Sequence, residues 1–278
     1  MNKKHLPKSR LIMYIILVFF AGIQLFPLVW LVDFSLLNNS DLFGPRILVW
    51  PEHPRFENYV KAWVHGDIPR LFLNSIIVNA ATIVLTVLLV TMLSYAFTRM
   101  QWKLKKVFFR AVLIGLMIPI HVTLLPNFFT FSALGLRNSY FGLIIPYVAF
   151  SLPIGVFLMS SFIESMSRSV EESAIIDGCG VWRIIFNIVM PLNKPALVAI
   201  VVTTFLNSWN EFIMAVTYLN DNRFRTLPFS VYNFAGRYSS DYAVQFAVMT
   251  ITALPTIVLF IVFNEQMTKG IMLGSVKS

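Results

Sequence analysis

Residues 164–192 read ESMSRSVEESAIIDGCGVWRIIFNIVMPL, and they are unlike the sequence on either side of them. The first half is polar and charged. Ser169, followed at the third position by Glu172, has the spacing of a capping box, in which the serine oxygen and the carboxylate each satisfy a free backbone N–H at a helix start. Gly178 supplies a residue able to take positive φ and stop that helix. Val181, Trp182, Ile185, Phe186 and Ile188 open a second, apolar-faced helix, which Pro191 and Pro195 are expected to bound. The stretch therefore predicts a compact helical elbow whose first helix presents Glu171, Glu172 and Asp177. A helix resting on a membrane surface favours Lys and Arg on its polar face, which argues against that reading, and a plain connection could be far shorter.

Outward from the elbow the sequence turns apolar. Residues 138–163 before it carry no charge, and residues 195–220 after it carry only Glu211. Further uncharged runs cover 11–32, 71–98, 111–136 (with the neutral His121) and 242–264. At the rise of an α-helix the run 11–32 reaches about 33 Å, against a hydrocarbon core of about 30 Å. The composition agrees: 57% of the 278 residues are hydrophobic and 13% charged, far from the roughly 25% charge of a soluble domain. A water-soluble enzyme is excluded on this ground. A transmembrane barrel would need short alternating strands, and these runs are continuous. The expectation is an all-α membrane protein, one domain over 1–278 with six transmembrane helices at 11–36, 71–97, 107–131, 139–163, 195–218 and 242–264. The elbow fills 164–194, and 265–278 form a tail.

The 22 Lys and Arg exceed the 13 acids, yet they form no stripe interleaved with aromatics, so nucleic acid is not an expected partner. They sort by loop instead. Lys3, Lys4, Lys8 and Arg10, then Arg99, Lys103, Lys105, Lys106 and Arg110, then Arg168, Arg183 and Lys194, then Lys269 and Lys277 fall on one side. The positive-inside rule therefore predicts cytoplasmic N- and C-termini and a cytoplasmic elbow. The first apolar run is longer than the core of a secretory signal and has Phe26, Trp30 and Phe34 where small residues would be needed, so a span is expected there. Cys179 is the only cysteine, which rules out an intrachain disulfide and a multi-cysteine metal cage. The outer segment after the first span is rich in Pro and mixed charge, with a short surface helix expected near residues 56–64.

Polar residues inside the spans are the candidates for a solute pathway. Ser75, Asn79, Thr82 and Thr86 fall within roughly a 60° arc of the second helix. In the fifth, Thr203, Thr204, Asn207, Ser208, Asn210 and Glu211 share a broad face, with Phe205 and Trp209 projecting elsewhere. A carboxylate at bilayer depth costs at least about 2.5 kcal/mol unless paired or hydrated, so Glu211 either faces protein or water or reaches the interface from the helix end. Both readings stand at this point. Pro119, Pro126, Pro146 and Pro153 read equally as bends lining a moving cavity and as ordinary packing prolines. His121 is expected to pack or hydrogen-bond, since a proton relay would need more ionisable groups in the spans. The pathway candidates are Ser75, Asn79, Thr82, Asn207, Asn210 and Glu211.

Glu172-Ser173-Ala174, then Asp177-Gly178, then Ile188 and Pro191, resembles the loop of bacterial ATP-binding-cassette importer permeases whose pattern is E-A-A-x-x-x-G followed further on by I-x-L-P. The segment 205–212 (FLNSWNEF), Arg225-Thr226-Leu227-Pro228, and Gln266 with 269–277 (KGIMLGSVK) are similar to the carbohydrate-uptake branch, in particular the second permease of maltose-type systems. The likeness extends over essentially the whole chain. It implies the MetI-like permease fold in a bacterial cytoplasmic (inner) membrane and a role in ATP-driven import of sugars, with oligosaccharide as the expected cargo. It further implies a second homologous permease, two copies of a cytoplasmic ATPase and an extracytoplasmic sugar-binding protein as partners. Glu171, Glu172, Ser173, Ala174, Asp177 and Gly178 are then expected to couple to the ATPase, the tail from Gln266 to Ser278 to approach it, and the loop 219–241 to reach toward the binding protein. Three positions depart from the pattern: Ser173 for the first alanine, Cys179 for an alanine after the glycine, and Met190 for the leucine before proline.

The chain has no Gly-rich loop ending in Lys-Ser or Lys-Thr, so it is expected not to be an enzyme and to bind no cofactor itself, with ATP and Mg held by the partner ATPase. The competing reading is an ion-coupled secondary transporter, which predicts several intramembrane acids and an inverted repeat; one acid and no repeat are present. A membrane enzyme would need clustered catalytic groups, which four scattered histidines and one cysteine do not supply.

Overall fold

Lipid gives the backbone no hydrogen-bond partner, so long apolar runs satisfy their own N–H and C=O groups as helices. The computed structural model describes residues 8–44, 50–236 and 240–275, the side chains of residues 8, 9, 11 and 265–275 excepted. The expected role of the tail from Gln266 onward falls on side chains outside that description. Regular structure among the described residues is helical apart from one isolated bridge, Ala235 to Ser240. In chain order the helices are α1 Lys8–Ser35, α2 Glu57–His65, α3 Ile68–Thr98, α4 Lys105–Ile114, α5 Leu124–Ala133 and α6 Phe141–Ser165. They continue as α7 Arg168–Ile176, α8 Val181–Ile184, α9 Met190–Leu192, α10 Lys194–Trp209, α11 Ile213–Tyr218 and α12 Tyr242–Ser275. The outer surface helix expected near residues 56–64 is α2.

Among the described residues, four segments are long and apolar enough to cross a membrane: Ile12–Ser35, Ile68–Thr98, Phe141–Ser165 and Tyr242–Asn264. The other two expected spans are broken. In place of a helix at 107–131, the pieces Lys105–Met117 and Ile120–Ala133 meet at 97°. The cause is Pro119: it has no N–H to continue the ladder and pushes Ile118 into extended backbone (φ −86, ψ 113). His121 sits in the 3-10 turn Ile120–Thr123 that follows and is exposed, so of the packing or hydrogen-bonding role expected for it, packing within this subunit is not found. Pro146 and Pro153, in contrast, lie inside an uninterrupted α6.

The expected fifth span, 195–218, is two helices, α10 and α11, separated at residues 210–212. Before it, Val181–Leu192 and Lys194–Trp209 turn through 83°, with Asn193 at the corner and its Nδ2 donating to Val189 O at 2.7 Å. Residues 181–192 run as α8, a π-helical turn Ile185–Val189 and α9. The second elbow helix thus ends at Leu192, between Pro191 and Pro195, as expected. Pro195 sits in the first turn of α10, where the missing N–H would have had no helical partner, whereas Pro191 lies inside the run, one residue after the π-helical turn.

By packing, the chain divides into two units, residues 1–68 with 230–254 and residues 69–229 with 255–278. In the first, Asn58 Nδ2 donates to Ser35 O and Leu37 O, each at 2.9 Å, which fixes the start of α2 under the end of α1. Trp30, Phe34 and Phe246 form an aromatic cluster there, with Trp30 and Phe34 centroids 4.4 Å apart. In the second, α3 and α6 pack around Val87, Val90, Val156, Met159 and Ile163. Small residues let these helices approach closely: a Cβ on Gly155 would lie 2.6 Å from Val90 Cγ2. One on Gly115, just past α4, would lie 2.7 Å from Pro153 Cγ. The polar arc Ser75, Asn79, Thr82 and Thr86 of α3 is fully buried in this unit.

Candidate functional site

The elbow starts at Ser167, whose Oγ accepts from Ser169 N at 3.3 Å and contacts Ser169 Oγ at 2.8 Å. The helix thus begins two residues earlier than the capping box places it, and Ser169 lies inside it. The end of α7 follows the sequence reading closely. Gly178 has φ +79, Cys179 N donates to Ala174 O at 2.9 Å and Gly178 N to Ile175 O at 3.0 Å. Those are the two reverse bonds of a Schellman motif, which satisfy carbonyls the helix leaves free. Nothing lies within 4 Å of where a Gly178 side chain would point.

The six elbow residues divide between two faces. Glu172, Ser173, Asp177 and Gly178 are exposed, whereas Glu171 and Ala174 are buried. The expectation that Glu171 presents its charge outward is corrected: its Oε1 accepts from Arg99 Nε at 2.7 Å, and Tyr95 faces the same carboxylate. Ala174 packs into the α3–α6 core, where a larger residue would hold the helix off. On the outer face, Ile175, Ile176 and Trp182 expose large apolar area beside the acids, Ile176 at 85%. Trp182 is stacked on Phe186 with centroids 6.1 Å apart. Large exposed apolar side chains set beside acids make this a candidate docking face.

A second feature lies where α10 breaks. A cavity of about 350 Å³ is lined by Ile120, Tyr147, Phe150, Ser151, Asn207, Ser208 and Glu211. Glu211 Oε1 accepts from Met214 N at 2.7 Å and Oε2 from Ala215 N at 3.2 Å, so the carboxylate caps the free N–H groups of α11. Tyr147 Oη donates to the same Oε2 at 2.7 Å and ties that cap to α6. The carboxylate therefore meets protein, which decides between the two readings the sequence left open.

The remaining pathway candidates go elsewhere. Ser75 Oγ accepts from Leu227 N at 2.8 Å, and Asn79 joins Ser75 O to Ser208 Oγ, at 2.9 and 2.6 Å. Thr82 is buried on the same helix face, and Asn210 is exposed with Nδ2 on Leu206 O at 2.9 Å. Of the six, the structure brings Asn207 and Glu211 together at the cavity. Phe205 and Trp209 stack on each other, 5.1 Å between centroids, and Trp209 is buried. Sequence reasoning missed Tyr147 and Ser151, whose i, i+4 spacing in an apolar run was the available signal, and Arg99, which it read only as a loop charge.

The loop after α11 is held by Asn138 and Asn74 in addition to Ser75. Asn138, at φ +55, accepts on Oδ1 from Asn220 N (2.6 Å) and Asp221 N (3.0 Å). Asn74 Nδ2 donates to Arg223 O and Arg225 O at 2.9 and 2.8 Å, and its own Oδ1 accepts from Tyr140 Oη at 2.7 Å. The Arg223 guanidinium beside Asp221 holds that carboxyl below the usual carboxylate range.

Among known proteins, the family described as binding-protein-dependent transport system inner membrane component matches residues 88–269. A probable ABC transporter permease of Bacillus subtilis, YurM, is 37% identical over 253 residues, covering 91% of this chain and 83% of the relative. The diacetylchitobiose uptake system permease NgcG of Streptomyces coelicolor is 32% identical over 267 residues, covering 95% and 88%. A chain of a bacterial ABC transporter that imports the acidic polysaccharide alginate has the same fold, with a TM-score of 0.79 over 95% of this chain and 99% of that one at 21% identity.

Proposed function

This chain belongs to the binding-protein-dependent transport system inner membrane components, and from that premise we propose that it forms half of an oligosaccharide pathway worked through the α7 elbow. It is an inner-membrane permease subunit of an ABC importer. The observation that carries the reading is the division of α7 into a buried face and an exposed one bearing Glu172, Ile175 and Ile176, with Asp177 just beyond. A cytoplasmic ATPase, present in two copies and holding ATP and Mg, docks on that exposed face. A second, similar permease completes the pathway, and an extracytoplasmic binding protein delivers solute to the side opposite the elbow.

The cavity between α6 and α10 is this subunit's share of the route. Its lining suits a sugar: Asn207, Ser151 and Glu211 bring hydrogen-bonding groups, and Tyr147 and Phe150 are aromatic. Closure of the ATPases displaces the elbow and shifts the bundle between states in which that cavity faces alternate sides, since force acts only where two states differ in partner contacts. Oligosaccharide is the proposed cargo because the Streptomyces relative is a diacetylchitobiose permease.

The test has three readouts. Glu172→Lys reverses charge on the docking face and is expected to lower ATPase co-purification severalfold; unchanged co-purification removes that face from the interface. Asn207→Cys, with Cys179→Ser, is expected to react with a water-soluble maleimide in native membranes, and a protected thiol excludes the cavity from the route. Mass spectrometry of the extracytoplasmic binding protein that stimulates transport by the complex is expected to find a retained oligosaccharide; a different class of solute would displace the sugar assignment.

A further inference from the structure

Between α6 and α7 lie only Met166 and Ser167, so the elbow would swivel on a two-residue link if nothing else held it. Arg99, the residue after α3, holds it. Its Nε donates to Glu171 Oε1 at 2.7 Å, and its Nη2 donates to Ile163 O and Met166 O, both at 2.8 Å. Ile163 stands in the last turn of α6, where its O also accepts from Met166 N at 3.1 Å, and Met166 lies just past the helix, while Glu171 stands in the first turn of α7. One planar fork thus joins the ends of three elements, and both charged side chains are only 8% exposed. Lys at this position would offer a compact charge on a flexible stem, without the fixed fork.

We propose that Arg99 is a positioning residue for transport: with Glu171 it makes α7 rigid against the ends of α3 and α6, so that displacement of the elbow reaches the cavity. The inference rests on the docking reading above and adds to it the route by which motion leaves the docked helix. A buried pair of this kind adds little net stability over apolar packing; what it adds here is fixed direction. Ala174 is the one apolar residue of α7 buried in that core, so apolar packing holds the helix at a single point. From Ile163 to Ser151 along α6 is about 18 Å of continuous helix, and α6 carries Tyr147, Phe150 and Ser151 of the cavity lining. The elbow and the cavity are therefore the two ends of one lever.

The experiment uses the full complex with its ATPases, carrying Cys179→Ser and Asn207→Cys, and reads the rate at which N-ethylmaleimide labels the thiol introduced into the cavity, with and without ATP and vanadate, which together trap ADP–vanadate on the ATPases. In the otherwise unaltered complex, trapping changes that rate. In Arg99→Gln and in Glu171→Gln, nucleotide is still trapped but the trapped-to-free rate ratio moves about tenfold closer to one, within the usual range of coupling between sites. The double variant Arg99→Met with Glu171→Met leaves no buried charge without a partner, so it assembles even where a single variant does not. Its expected ratio is near one. A ratio equal to that of the unaltered complex, in either single variant or in the double, overturns the proposal and reduces the pair to a packing feature. Glu172→Lys separates the two ideas: if it leaves ATPase association intact, the docking reading has failed irrespective of what Arg99 variants do.

Discussion

Gly178 adopts φ +79 in open space, so the objection to a side chain there is conformational and not steric. A β-branched residue in the left-handed region is strained by roughly 1–2 kcal/mol, whereas Asn tolerates it far better. Gly178→Val is accordingly expected to loosen the Schellman turn and reduce recovery of the assembled complex in detergent by about tenfold, with Gly178→Asn close to the native yield. Equal recovery of the two variants would show that the turn does not depend on its backbone angle. This glycine was legible in the sequence because a helix stop acts within a few residues of itself. Glu171 was not, since its burial depends on Arg99, which lies 72 positions away. Ser167 was missed as the cap for a different reason: three serines at 165, 167 and 169 lie close together, and only the path of the chain leaving α6 selects one.

Elements were easier to count than to trace. Hydropathy marks a run as able to lie in lipid but does not sense whether its backbone is continuous, which is why the third and fifth runs were expected as single helices. Proline alone does not settle it, because Pro119 breaks a helix while Pro146 and Pro153 do not. The difference is in the neighbours: Pro146 and Pro153 are buried inside the packed unit, and Gly115 leaves room for Pro153. Close approach of α3 and α6 rests on Gly155 in the same way. Gly155→Leu would drive a side chain into Val90, whose branched stem has little freedom to move, and overpacking of this kind costs about 1–3 kcal/mol. The expected result is a lower thermal midpoint of the purified protein and a smaller reactive fraction of the thiol introduced by Asn207→Cys, with Val90→Ala restoring part of both. If Val90→Ala gives no recovery, the crowding is not between those two residues.

For the molecule as a whole, the family and the likeness to a solved importer follow the reading of the elbow between long apolar runs. What sequence could not supply was the pairing of parts distant along the chain, such as Tyr147 with Glu211 or Asn74 with the outer loop. Orientation is different, because it is set by the charge asymmetry of the loops and not by packing. In the expected six-span order fourteen of the 22 cations fall on the side of the elbow, which predicts Ser173 in the cytoplasm and Arg223, on the loop held by Asn74 and Asn138, outside. With Cys179 replaced by Ser, a thiol at Arg223→Cys is expected to react with a membrane-impermeant maleimide in intact cells stripped of any outer barrier. A thiol at Ser173→Cys should react only after the inner membrane is opened. Both side chains are exposed on the subunit itself, and the opened membranes are washed free of ATPase so that a docked partner does not shield position 173. The reverse pattern would put the elbow outside, where no ATP-driven motor could reach it, and would remove the premise on which the Arg99 lever depends.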